Sequence, residues 1–328
     1  MSELASSIKV QSNEDRIPVV SVLMPVHNGG KYLAEAVESI LNQTFRDFEF
    51  LILDDGSTDE SLKLLRQYAK KDSRLQVISR KNRGLTFTLN ELLSYARGEF
   101  VARMDADDVS FPDRFDRQVA FLKENHKVVC VGGASQMIDS AGRYLTTLLQ
   151  PQTDVEIQTL VLGGHGAITH PSAMMRNTSL KLVGGYDEKY NTAEDLDLWL
   201  RLGEVGELAN LPDVLLKYRL HDKSISEISG QGQRDTARRA CENAWRRRGI
   251  AGVFSADALW RPSTDRSSRY TFMLKYGWWA WNNRQRKTAA FYGWQAIKMK
   301  PLSLDGWKLL MVSLIKPLEI VERDSDGR

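Results

Sequence analysis

The sequence predicts an α/β fold built on a largely parallel sheet, and three observations carry that expectation. Short apolar runs alternate with segments of helical periodicity through residues 19–112, joined by short connections that suit right-handed crossovers. The first run, residues 19–26, is near-continuous in apolar side chains, as a strand buried on both faces requires. Acidic residues crowd the ends of two runs, Asp54-Asp55 and Asp105-Ala106-Asp107-Asp108. Open α/β sheets bind ligands in the crevice beyond the carboxyl ends of their strands.

The elements follow in order. His27-Asn28-Gly29-Gly30 ends the first strand, and Leu33, Ala36, Val37, Ile40 and Leu41 mark one face of a helix. Residues 48–53 form the second strand. Ser57 and Glu60 have capping-box spacing, so a helix starts there with Leu62, Leu65 and Tyr68 inward. Residues 75–79 are the third strand, and Leu85, Leu89, Leu92, Leu93 and Ala96 the third helix. The fourth strand spans 100–104, and Pro112 suits the first position of the next helix.

Beyond residue 128 the period changes. Strands are expected near 128–131, 172–175 and 214–219, a turn at 139–142, a flexible loop at 163–166 and an amphipathic helix over 194–202. From Gln231 the pattern is helical and rich in Arg and Trp, and residues 284–310 suggest a helical hairpin resembling one tetratricopeptide-like unit. The domain reading is a flexible tail over 1–17, a catalytic α/β domain over 18–228 and a basic helical region over 229–328, with the boundary near 225–232.

Composition narrows the function classes. The start lacks the apolar core of a signal peptide, and no apolar run approaches the ~18 residues of a membrane span. Cys130 and Cys241 stand far apart, which suits free thiols in a reducing compartment. Residues 231–300 carry 15 Lys or Arg against 4 Asp or Glu, a local +11 that leaves −8 to the rest of the chain. Such a segment suits either a solvated helical face or an anionic partner, with a lipid surface or phosphorylated acceptor ahead of nucleic acid. There is no Gly-x-Gly-x-x-Gly after a strand and no P-loop lysine, which removes the main support for nicotinamide and ATPase chemistry.

Each candidate constellation has two readings. Asp54 and Asp55 fit a turn, or acceptors for a base N–H or a ribose hydroxyl. Asp105, Asp107 and Asp108 fit a loop, or a hard-oxygen site for Mg2+ or Mn2+ shared with substrate phosphates. Three adjacent acids favour the second reading, because they repel unless compensated. Glu194 and Asp195 fit first-turn acids that complement a helix dipole, or a general base. His27, His165, His170 and His221 are scattered, with no pair at helical metal spacing.

Taken together, six pieces in this order and spacing resemble the family 2 inverting glycosyltransferases over roughly residues 19–226. They are Val20-Ser21-Val22-Leu23-Met24-Pro25-Val26-His27-Asn28, Asp54-Asp55-Gly56-Ser57-Thr58-Asp59, Asn82-Arg83-Gly84, Asp105-Ala106-Asp107-Asp108, Glu194-Asp195 with Leu198-Trp199 and Arg201, and Tyr218-Arg219 with His221, Ser224 and Ser226. The resemblance implies a GT-A fold, a nucleotide-diphosphate sugar donor such as a UDP-sugar, a cofactor of Mn2+ or Mg2+, and inversion at the anomeric carbon. It implies that Pro25, His27, Asp55 and Arg83 surround the base with Asp54 close by, and that Asp105 faces ribose or metal-bound water. By the same resemblance Asp107 ligates the metal, His221 adds a ligand or phosphate contact, and Asp195 is the base with Glu194 next in line. The expected role is non-processive transfer to a saccharide or lipid-linked acceptor in polysaccharide or glycolipid synthesis, since the Gln-x-x-Arg-Trp motif of processive synthases is not evident. The expected location is cytoplasmic, peripheral at the inner face of the membrane if the basic region meets anionic lipid. Two rivals are a phosphatase using Asp105 as nucleophile and a non-catalytic nucleotide-sugar-binding module.

Overall fold

The structure is a computed structural model that describes residues 16–221, 230–256 and 265–317. The expected N-terminal tail, apart from its last two residues, and Ser224 and Ser226 lie outside the described residues.

Strands β1 (Val20–Val26), β2 (Phe48–Asp55), β3 (Leu75–Arg80) and β4 (Phe100–Arg103) run parallel in the order β3-β2-β1-β4. Helices α1 (Leu33–Leu41), α2 (Ser61–Ala69) and α3 (Leu85–Tyr95) make the crossovers. Successive side chains on a strand point to opposite faces, so β1 feeds two cores. Val20, Val22 and Met24 pack with Ala36, Ile40 and Leu65 on one side, while Leu23 packs with Leu89 and Leu92 on the other. Strand order reverses between β1 and β4, which opens the crevice at their carboxyl ends.

The second half comprises β5 (Val109–Ser110), α4 (Arg114–Glu124), β6 (Val128–Asp139), β7 (Tyr144–Leu148), α5 (Asp154–Leu162), β8 (Met174–Arg176), α6 (Asn177–Leu182), α7 (Glu194–Leu202) and β9 (Glu207–Leu220). β8 lies antiparallel between β4 and β6, β9 runs parallel to β6, and β5 pairs antiparallel with β9. The result is a mixed nine-stranded sheet covered by helices on both faces.

Three local expectations are corrected. The helix after β2 begins at Ser61, whose N–H donates to Asp59 Oδ1 at 3.0 Å, and Ser57 does not cap it. Ser57 is drawn into the preceding turn, where its hydroxyl accepts from the Asn28 N–H at 2.9 Å. The cause is the tight turn at Gly56, with φ of +74°, where a Cβ would come within 2.7 Å of the Asn82 nitrogen. α4 begins at Arg114 and leaves Pro112 outside, with its carbonyl accepting from Thr44 N–H at 2.8 Å. Finally, β6 is about three times and β9 about twice as long as their apolar runs suggested, because backbone pairing continues through polar and glycine positions. A side chain at Gly132 would overlap Asn210 on the neighbouring strand.

Four helices follow: α8 (Gly230–Arg248), α9 (Arg266–Asn282), α10 (Arg286–Met299) and α11 (Leu304–Ile315). α8 buries Ala240, Cys241 and Ala244 in the same core as α5 and α7, so packing joins it to the sheet rather than to the helices after it. α10 and α11 form the expected hairpin, α9 packs on both, and their Ala280, Ala289, Tyr292 and Leu309 join Met137, Leu145 and Leu220 in a third cluster. Trp278, Trp279, Trp281 and Phe291 pack against that cluster. Cys130 and Cys241 are free and buried, and burial raises both thiol pKa values.

Candidate active site

The acidic cluster is built by three strands. β4 ends in Arg103, a guanidinium buried within an otherwise apolar strand, whose Nη2 donates to Asp105 Oδ1 at 2.6 Å. Pairing of β5 with β9 brings Asp107 and Asp108 under Arg219. The Arg219 backbone N–H donates to Asp108 Oδ1 at 2.8 Å, and its Nε donates to the Asp107 carbonyl at 2.8 Å. Its Nη2 reaches Glu35 at 2.6 Å, and the guanidinium lies over the Tyr32 ring. His221 Nε2 is 2.8 Å from Asp107 Oδ2.

One carboxylate oxygen each from Asp105, Asp107 and Asp108 lies within 4.8 Å of the others. Hard oxygens converging at that spacing fit a divalent cation, and an imidazole on the rim is a compatible further donor. Beneath the cluster lies a second buried guanidinium. Arg114 donates to the carbonyls of Arg103 at 2.9 Å and Ala173 at 3.2 Å, and burial first, with Arg103 nearby, pulls its pKa down to about 9. These two buried cations offset part of the repulsion among the acids.

At the other end of the crevice the structure separates the expected residues. Asp54 is almost fully buried: Oδ1 accepts from Ser57 N–H at 3.2 Å and Oδ2 from the Ser79 hydroxyl at 2.9 Å. Asp55 is also buried, accepting from Arg80, from Arg83 N–H at 2.8 Å and from Gly84 N–H at 2.9 Å. Both acids therefore shape the turn and tie β2 to the Asn82-Arg83-Gly84 segment. The groups presented outward are half-buried Pro25, exposed His27, whose Nδ1 faces the Asp55 carbonyl at 2.9 Å, and exposed Arg83, stacked on Phe87.

The third wall is the start of α7. Thr192 sits at φ of +85°, a strained position for a residue with a Cβ, two residues before the helix begins. Glu194 is buried, and its Oε2 accepts from Thr192 N–H at 3.0 Å. Burial, reinforced by Asp195, pushes its pKa up to about 7. Asp195 is partly exposed, and its pKa is raised by burial, with Asp105 adding and Arg103 opposing. Asp105, Arg103 and Asp195 thus share one electrostatic neighbourhood. Arg201 braces the wall, donating to Asp197 at 2.6 Å and to the carbonyls of Val183 and Gly185. His170 is buried against Tyr186 at 2.9 Å and Trp199, and burial lowers its pKa well below the usual value, so it is a packing residue.

Arg103 and Glu35 were absent from the expected site. The signal for Arg103 was a lone charge inside the run Phe100–Arg103, since a buried charge demands a partner. Glu35 carries no local signal, because its partner Arg219 is 184 residues away.

Glu194 yields a stability prediction. Its folded pKa lies above the ordinary 4.5, so between that value and about 7 the folded state holds a proton that the unfolded chain releases. This group therefore lowers stability as pH rises through that window, by up to roughly 1.4 kcal/mol per pH unit. Glu194→Gln is expected to gain stability over wild type from about pH 5 to about pH 8 in urea titrations, on the order of 1–3 kcal/mol. An unchanged difference across that range would show that Glu194 ionises normally.

The sequence profile of glycosyl transferase family 2 matches residues 21–183, a span that contains all five acids at the ends of β2 and β4. The putative glycosyltransferase EpsE of Bacillus subtilis (strain 168) is 37% identical over 211 residues, 62% of this chain and 73% of that protein. The O-antigen biosynthesis glycosyltransferase WbnJ of Escherichia coli is 34% identical over 215 residues, 64% of this chain and 83% of that one. Among solved structures, S. aureus TarS 1–349 in complex with UDP-GlcNAc superposes with a TM-score of 0.53 at 19% identity, covering 90% of this chain and 79% of that 1–349 chain. The mannosyltransferase PcManGT from Pyrobaculum calidifontis, in complex with GDP-Man and Mn2+, gives 0.51 at 17% identity over 91% of this chain and 80% of that one. The structural likenesses show the GT-A fold, and the sequence relationships show the lineage: the chain belongs to glycosyltransferase family 2, enzymes that transfer a sugar from a nucleotide sugar.

Proposed function

We propose that the crevice binds a nucleotide-diphosphate sugar, with UDP as the nucleotide, and transfers its sugar with inversion to a hydroxyl of a saccharide or lipid-linked acceptor. The observation that carries this reading is the Asp105-Asp107-Asp108 cluster, one oxygen of each converging within 4.8 Å just past the carboxyl end of β4. Pro25, His27 and Arg83 line the nucleoside end, with Asp55 holding the Arg83 backbone from behind and Asp54 setting the turn. Asp105 and Asp107, with His221 beside them, hold Mn2+ or Mg2+, which when bound offsets negative charge on the departing diphosphate.

Asp195 accepts the acceptor hydroxyl proton as that oxygen attacks the anomeric carbon from the face opposite the diphosphate. One C–O bond forms while the bond to the diphosphate breaks, and the abstracted proton resides on Asp195. A single displacement needs one base and no glycosyl-enzyme intermediate, unlike retaining glycoside hydrolysis. Glu194, buried and bonded to its own turn, positions the helix start. WbnJ, named for O-antigen biosynthesis, supports a surface-polysaccharide role, and two free, buried cysteines suit a cytoplasmic location. No helix among the described residues is long and apolar enough to cross a membrane.

The test is a donor screen by thermal unfolding with Mn2+ present. A UDP-sugar is expected to raise Tm by mass action, more with the cation than without, and to release UDP when the correct acceptor is added. Phosphate release from simple phosphomonoesters would instead support the phosphatase reading, and tight donor binding without turnover the non-catalytic one.

A further inference from the structure

We propose that the outer face of α11 docks on an anionic lipid surface. This helix turns its small residues inward and its large apolar residues outward. One side buries Gly306, Leu309 and Ser313, with Gly306 close against the Ile297 nitrogen of α10. The other side presents Leu304, Trp307, Met311, Leu314 and Ile315, with Leu304 81% exposed and Ile315 67% exposed. At 3.6 residues per turn these five fall within an arc of about 100°. A contiguous apolar arc of this size on a helix normally meets an apolar partner. Twelve residues rise roughly 18 Å, too little for a hydrocarbon core of about 30 Å, so α11 suits a helix that lies in the interface rather than spans it.

Charge selects the occupant. Residues 265–317 carry ten Lys or Arg against two Asp or Glu, a net +8. Lys308 flanks the apolar arc, Lys298 lies in the last turn of α10, and Lys300 follows that helix on the way to α11. Two such units placed face to face would repel, whereas anionic headgroups would attract each nearby cation by about 1 kcal/mol. Trp307 offers a large ring and a polar edge, with its Nε1 donating to the Pro301 carbonyl at 2.9 Å, and such rings favour the interfacial layer.

The unit is fixed to the sheet edge that bears the crevice. Tyr292 donates to Asp139 Oδ2 at 3.0 Å at the end of β6, and Leu220, one residue before His221, lies in the shared apolar cluster. Docking through α11 would therefore tie that edge of the sheet to the lipid surface.

The test uses the full chain and needs no turnover, so it stands or falls apart from the transfer reaction. The protein is sedimented with vesicles of phosphatidylcholine alone and of phosphatidylcholine mixed with phosphatidylglycerol, at low and high salt. Binding is expected to the anionic vesicles only, weakened by salt through screening. The double variant Leu304→Glu, Met311→Glu, at two exposed positions, is expected to lose binding by about tenfold or more, since charge replaces apolar contact. Its far-UV circular dichroism and its Tm without ligand are expected to match wild type, which confirms an intact fold. Equal binding to both vesicle types, binding to neither, or binding unaffected by the double variant would overturn the proposal. A dimer detected by light scattering and lost in the double variant would also overturn it, by assigning the face to a second copy of the chain.

Discussion

Asp195→Asn is expected to reduce sugar transfer by about 10²-fold or more, the scale of a lost general base, while donor binding stays near wild type. The substitution keeps the side chain's size and its hydrogen bond to Leu196 N–H, so the start of α7 should hold its shape. Calorimetry with the donor and single-turnover transfer assays separate the two effects. The pH profile gives a further check. Burial raises the Asp195 pKa, with Asp105 adding to the shift, and a base works only when deprotonated. Wild-type transfer should therefore fall as pH drops through an elevated value, and the variant's residual rate should lack that limb. Transfer within a few-fold of wild type would make Asp195 a first-turn dipole acid and turn attention to Glu194.

Asp107→Asn is expected to abolish cation-dependent turnover with little change in Tm. The side chain is partly exposed, and its bond to His221 can be kept by the amide oxygen, so the fold does not depend on its charge. What is lost is one of three converging carboxylates, and hard divalent cations bind such oxygens largely through their charge. Turnover with titrated Mn2+, and Mn2+ binding itself, are the measurements. Full activity in EDTA, or in the variant, would remove Asp107 from the metal site.

The Asp-x-Asp acids were legible in the sequence because they end a short strand-like run, where a sheet leaves its ligand crevice. What supports them was not. Arg219 holds Asp107, Asp108 and Glu35 at once, yet lies more than 100 residues from each of them in sequence. The fates of Asp54 and Asp55 show the same limit from the other side. Their type and spacing point to the crevice, but only the path of the chain from Ser57 to Gly84 turns both carboxylates inward.

Apolar periodicity by itself determined the β3-to-β4 half of this protein, since each strand and each crossover helix there is encoded by neighbouring residues that must face one core. The charge asymmetry of the C-terminal region was equally explicit. Tertiary structure alone decided the length of β6 and β9, the membership of α8 in the catalytic core, and which Trp rings are inward. It also turned the small-residue side of α11, Gly306, Leu309 and Ser313, inward and left its larger apolar arc facing outward. The physical reason is common to these cases. Backbone pairing and helix docking depend on partners far away in sequence, and a local pattern states that a face is apolar without stating what it meets.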